Sequence, residues 1–164
     1  MKKILVRTHL KKQARRKRQF VPWDQVQQVA LIIENQSGFN KSVLDKFIID
    51  TGKRFDVLFI DTNNKESVIK DYITFCKSDK NLLNLPSSKG LEKIAKRKAD
   101  VIIICVDKEL EYAAVLAANY EARCYCGYSP VKANLDIIIE RKTGTALPQY
   151  LEEVLRYLKM IRNS

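Results

Sequence analysis

Four acids stand where apolar runs give out: Glu34 after "VQQVALII", Asp61 after "FDVLFI", Asp107 after "DVIIICV" and Glu140 after "LDIII". Short runs rich in β-branched residues read as buried strands, and parallel sheets bind ligands beyond the carboxyl ends of their strands. Acids meeting there could hold Mg²⁺ through hard oxygen ligands or accept hydrogen bonds from sugar hydroxyls. The plainer explanation is that a buried strand must end on something polar, with no ligand implied. After the first run, "NQSGFNKS" sets Ser37 and Gly38 ahead of a helix, where backbone amides could receive an anion or the residues could simply cap the turn. Glu34, Ser37, Gly38, Asp61, Asp107 and Glu140 together define the possible ligand crevice, and its small-molecule occupant is unknown at this stage.

Other site chemistries are thinly supplied. The five glycines, Gly38, Gly52, Gly90, Gly127 and Gly144, form neither G-x-G-x-x-G nor G-x-x-x-x-G-K-[ST], which disfavours a dinucleotide or P-loop ligand. The single histidine, His9, lies in the N-terminal segment, so designs built on a body histidine are excluded. "CYC" puts Cys124 and Cys126 on one strand face, closer than a C-x-x-C loop and without a second ligand pair. With Cys76 and Cys105 they read as reduced, buried thiols. "LDIIIERK" offers Asp136, Glu140 and Lys142 in an acid-x-Lys order used by some metal-dependent nucleases, a match short enough to arise by chance. Neither a metal nor a cofactor is expected.

The strongest signal is electrostatic. Of a formal charge of +11, residues 1–23 carry nine Lys or Arg and no acid, while the rest of the chain sets 21 bases against 19 acids. A field so localised concerns partners rather than fold. Lys11, Lys12, Arg15, Arg16, Lys17 and Arg18, within "KKQARRKRQF", are the expected polyanion contacts. Nine cations repel one another, so the segment is expected to be mobile alone and to gain order on meeting anions. If it is helical, Val6, Leu10 and Ala14 give a thin apolar stripe for docking on the body. RNA or DNA phosphates would bind with counterion release. An anionic membrane would attract the same bases by about 1 kcal/mol each, but so thin a stripe argues against insertion.

These groups are positioned by alternating strands and helices. Strands are predicted at 26–34, 55–61, 100–107, 122–128 and 135–141, with "YITFC" a further candidate in an ambiguous stretch. Helices are predicted at 38–52, ending on Gly52, at 88–98, at 110–120, and in a closing segment with Leu147, Leu151, Val154, Leu155, Leu158 and Ile161 on one stripe. This pattern predicts an α/β three-layer sandwich with a mostly parallel sheet, Rossmann-like or flavodoxin-like, preceded by a basic N-terminal helix or arm. The organisation is an arm at 1–23 and a single α/β domain at 24–164. "MKKILVRTHL" starts like a signal peptide, but Arg7 interrupts the apolar run, and "VIIICV" is far short of a membrane span. A cytoplasmic protein is expected.

The stretches "SDKNLLNLPSSKG", "ADVIIICVD", "ANYEARCYCGYS", "NLDIIIERK" and "LEEVLRYLKMI" resemble a family of small uncharacterised bacterial proteins with a basic N-terminal helix. The shared features are an Asp-x-Asn loop at Asp79 and Asn81, a strand opening on Asp100, Gly127, and a closing Tyr157–Leu158. The likeness is clearest over residues 78–161. Leu82 and Asn84 depart from the aromatic and glycine of the family's loop. The resemblance implies a Rossmann-like domain of unknown function and transfers no catalytic residue. A fainter likeness links residues 99–129 to a strand-helix-strand unit of two-domain sugar transferases. The expected function is a binding or adaptor domain rather than an enzyme, docking through its arm to RNA or a ribonucleoprotein surface. The alternatives are a nucleotide-sugar-binding half-domain or docking to an anionic membrane.

Overall fold

Val29–Ile33 cannot face water on either side, and a strand buried on both faces belongs in the middle of a parallel sheet. The structure, a computed structural model that describes residues 1–128 and 133–161, places it there. Strand β1 (Gln28–Glu34) pairs with β2 (Arg54–Ile60) on one side and β4 (Lys98–Cys105) on the other. β3 (Ile73–Phe75) extends the β2 side, β5 (Glu121–Gly127) the β4 side, and β6 (Ile137–Ile138) closes the far edge. All pairings are parallel and the order is β3-β2-β1-β4-β5-β6. The predicted α/β sandwich is therefore observed.

Two helices cover one face. Helix α2 (Lys41–Thr51) starts where the Asn40 carboxamide accepts the Val43 N–H, and it stops at Gly52, whose φ of +69° suits a residue without Cβ. It lies beside α5 (Leu147–Met160), whose first turn carries Pro148 as predicted. Leu44, Leu151, Val154 and Leu158 pack here on Leu31, Ile33 and Val101. The opposite face is covered by α3 (Ser88–Glu92) and α4 (Leu110–Asn119), with Ile94, Ala113, Leu116 and Ala117 against Ile32, Ile102 and Ile104.

The basic segment is a docked element. Helix α1 (Lys2–Ala14) packs on the outer face of α4, with Val6, Leu10 and the loop residues Leu83 and Leu85 gathered around Val115. Val6 and Gln13 are buried and Leu10 is half-buried, whereas Ala14 is exposed. Spacing of three and four follows the 3.6-residue turn better than two steps of four, so Gln13 takes the place expected for Ala14. Gln13 and Asn134 exchange hydrogen bonds, and the Asn134 carboxamide donates to the Leu10 carbonyl. His9 meets Asn119 of α4 at 2.9 Å.

Past α1 the chain runs along β5, where the Gln19 N–H donates to the Arg123 carbonyl. β6 is shorter than the predicted 135–141: its partner β5 ends at Gly127, which pairs with Ile138, so the residues beyond have no strand to pair with. Flanking β6, Asp136 and Ile139 add backbone donors to Tyr125 and Gly127. Among the described residues no helix is long and apolar enough to cross a membrane.

If α1 is part of the folded core, Val6→Asp places a carboxylate in a dry contact and should lower the unfolding free energy by about 3 kcal/mol. Urea denaturation measures it; a loss under about 0.5 kcal/mol would show that α1 does not contribute to the fold.

Candidate functional site

β1 and β4 are neighbours, but the chain leaves them for opposite faces, to α2 and α4. Such a switch point opens a crevice at the carboxyl end of the sheet. The N-terminus of α4, which would receive a phosphate there, is already filled. The buried Glu34 carboxylate accepts backbone N–H groups from Asp107 at 2.5 Å, Lys108 at 3.0 Å and Glu109 at 3.0 Å. A carboxylate satisfies those amides and the helix dipole as an external anion would. Asp61 is likewise spent internally, accepting from Asn35 at 3.2 Å and Asn64 at 2.8 Å. Burial raises its pKa, but hydrogen bonds from Asn64, Ser67 and Asn35 outweigh that and hold it below the usual value.

Beside this plugged point lies a cleft of about 800 Å³ between the loop after β1, α2, and the loop and first turns of α5. Ser37, Gly38, Asp107 and Glu140 line it, while Glu34 and Asp61 do not. Its apolar lining comes from Phe39, Val43 and Phe47 on the α2 side and from Leu147 and Leu151 of α5. Its polar lining holds a cluster the sequence reading missed. The Arg141 guanidinium donates to Asp107 Oδ2 at 3.0 Å and to the Thr145 carbonyl at 2.8 Å, and lies 5.8 Å from the Tyr128 ring centroid. The Tyr128 hydroxyl sits 2.5 Å from the Val106 carbonyl and 2.7 Å from Asp107 Oδ1. Its one proton cannot serve both acceptors, so Asp107 has spare capacity for a donor from outside. The signal that could have found Arg141 is its place directly after the strand-end acid Glu140.

The acid-x-Lys candidate does not assemble. Asp136 stands at the amino end of β6 and accepts from the Tyr125 N–H and Arg18, whereas Glu140 lies beyond the carboxyl end. Four extended residues separate them by about 13 Å. Among the described residues no three His, Cys, Asp or Glu groups gather to hold a metal ion. The four cysteines are free and buried. Burial pushes the Cys124 and Cys126 thiols up to about 12, which keeps them protonated and unreactive at neutral pH.

The six basic residues divide into two groups. Arg16 donates to the Tyr120 carbonyl at 2.6 Å, and Arg18 donates to Asp136 at 2.9 Å and to the Asn134 carbonyl while stacking 5.1 Å from the Tyr125 ring centroid. These two pin the arm to the body. Lys11, Lys12, Arg15 and Lys17 are exposed, and no described carboxylate lies within ion-pair distance of them. Lys17 also lines a shallow groove of about 530 Å³ across the amino ends of β1, β2, β4 and β5, with Arg16, Arg54, Lys98 and Arg123. Two acids share that groove, Glu121 paired with Lys98 and Asp100 paired with Arg123. The arm's charge thus continues onto the sheet.

Residues 1–161 match the model of the Family of unknown function (DUF6913). The chain belongs to that family. No curated protein and no solved structure matches it.

In this DUF6913 chain the residues that carried the resemblance have structural work. Asp100 accepts the Gln27 and Gln28 N–H groups and fastens β4 to the start of β1. Asp56, near the start of β2 and outside the resemblance, accepts from the Tyr120 hydroxyl at 2.6 Å and from Arg97. Asn81 accepts from the backbone of Leu83 and Leu85, closing its loop on itself. Asp79 is fully buried; it accepts from the Cys76 N–H at 2.9 Å and from Lys93 at 2.8 Å, under Gly90, where a Cβ would come within 3.0 Å of its carbonyl. Burial raises the Asp79 pKa, but Lys93 and Cys76 overcome this and hold it below the ordinary value.

Two stability predictions follow from these acids. Glu34→Ala leaves buried backbone donors unmatched and should cost about 3 kcal/mol in urea denaturation. Lys93→Met strands the Asp79 carboxylate without its cation and should cost about 3 kcal/mol at neutral pH. Because the folded Asp79 pKa lies below the unfolded one, its contribution is complete above about pH 4 and fades as the pH falls through the folded value. The Lys93→Met deficit should therefore shrink in acid. A deficit independent of pH would assign it to lost packing instead.

Proposed function

We propose that this is a non-catalytic binding domain of bacterial, cytoplasmic type that grips RNA through a preformed basic face. The observation that supports it is the docking of α1. With Val6 and Gln13 turned inward, Lys11, Lys12, Arg15 and Lys17 are held outward beside the groove of Arg54, Lys98 and Arg123. A rigid array of cations loses less conformational entropy on binding than a mobile tail, so the face is organised before its partner arrives. Phosphates spaced along a strand match such an array, and counterion release supplies the affinity.

RNA is favoured over a membrane for a geometric reason. An interfacial helix turns a continuous apolar face to the lipid, whereas Val6 and Leu10 of α1 face the protein. The large apolar residues exposed here, Met1 just before α1 and Ile4 and Leu5 in its first turn, are confined to its start. Phe20, 55% exposed and one residue past the Gln19–Arg123 link, provides an aromatic surface of the kind on which unpaired bases stack.

Deleting the arm would uncover Val115 and Leu85, so the test uses charge instead. In the full chain, Lys11→Gln, Lys12→Gln, Arg15→Gln and Lys17→Gln combined should weaken binding to single-stranded RNA by about tenfold or more and reduce the slope of log K against log salt by about 3. Fluorescence anisotropy at several salt concentrations reads both. Unchanged affinity in the fourfold variant would sink the proposal, as would binding of the wild type to anionic vesicles but not to RNA.

A further inference from the structure

The geometry points to a second site, independent of the basic face: the cleft between α2 and α5 takes an uncharged nucleoside, a flat heteroaromatic ring carrying a vicinal diol. About 800 Å³ lies within the range of small-molecule sites, and the position is where parallel sheets hold ligands. Its mixed lining calls for two kinds of surface on one molecule. Phe39 and Phe47 on the α2 side and Leu147 of α5, all partly exposed, offer apolar surface for a ring. In the same lining, Asp107 and Glu140 offer carboxylate oxygens, which accept hydrogen bonds and donate none.

The acceptors select hydroxyl groups. The Asp107 side chain is 46% exposed, and its inner contacts are one Arg141 N–H and a Tyr128 proton that the Val106 carbonyl also claims. Its outer lone pairs are open to the cleft, and two adjacent hydroxyls suit a carboxylate with two acceptor oxygens. Gln36 and the Asn40 amino group, at the mouth, supply the donor and acceptor that a base edge would meet. The ligand carries no phosphate at the switch point, because Glu34 occupies the Asp107, Lys108 and Glu109 amides. A phosphate placed near Glu34 or Asp107 would face a carboxylate.

Isothermal titration and saturation-transfer NMR on the full chain, with adenosine, guanosine, cytidine and uridine, their 2′,3′-dideoxy forms and their 5′-monophosphates, test this. At least one ribonucleoside should bind at concentrations on the order of 1 mM or below, and its dideoxy form about tenfold more weakly. The monophosphate should bind no tighter than the nucleoside. Asp107→Asn should remove the preference for the diol, and Val43→Trp, a change at a half-exposed α2 position that fills the cleft, should abolish binding while the RNA affinity of the basic face is unchanged. Tighter binding of the monophosphate, full affinity in Val43→Trp, or no nucleoside bound at millimolar concentration would each overturn the assignment.

Discussion

Helix α4 has no wet side. Tyr112 to Ala118 are buried without a break, so the sheet can cover only one of its faces and another element must cover the rest. That element is α1. The constraint explains why a helix without an acid, with a run of lysines and arginines, is held against an apolar protein: Val6 and Leu10 meet Val115, and burial of each full-sized aliphatic side chain contributes roughly 1.5–3 kcal/mol. Orientation follows from that contact. Once Val6, Gln13 and half of Leu10 face inward, half of the remaining positions of α1 are cationic and none is acidic. The charged face is thus a geometric consequence of covering α4.

The two ends of the sheet do opposite things with their carboxylates. At the amino end, Asp56, Asp100 and Asp136 each reach across to a tyrosine hydroxyl or a backbone N–H on a neighbouring segment, and each also meets an arginine. They are fasteners, and the cations left over among them keep this end positive. At the carboxyl end, Glu34 closes the cradle of amides at the N-terminus of α4, while Asp107 leans on Arg141 and keeps oxygens open to the cleft. Polyanion and small ligand, on the proposed readings, would therefore meet the protein at opposite ends of the same strands.

Much of this arrangement is legible in the sequence, and its gaps have physical causes. Short apolar runs rich in β-branched residues and bounded by polar ones give away the central strands, and apolar residues at helical spacing ahead of Gly52 give away α2. β6 is overestimated because an edge strand can be no longer than its partner allows: β5 ends at Gly127, opposite Ile138, and the apolar run of 137–139 does not carry that limit. The strand-end acids are visible as types but not as roles: Glu34 and Asp107 look alike in sequence, and only the turn into α4 makes one a helix cap and the other a cleft residue. "LEYAAVLAANY" held an unused signal. Its sheet-facing residues Ala113 and Ala117 are easy to pick, but Val115 and Ala118 on the opposite side already require a second cover, and the stripe of Val6 and Leu10 in the basic segment supplies it at Val115.

The same docking makes α1 a responsive element. A helix of 13 residues is marginal alone, and this one places Lys2 and Lys3 at the positive end of its own dipole with no acid in the first turn. Its cations also repel along the exposed face, relieved within the chain mainly by the 3.9 Å Lys2–Glu111 pair and by the Arg16 and Arg18 anchors. Packing on Val115 must outweigh these terms for the helix to persist. A bound polyanion would cancel the repulsion while leaving the packing in place, so it would stabilise α1 and, through α4, the sheet beneath. Binding and folding of the amino-terminal segment are linked by that arithmetic even though the helix is formed beforehand.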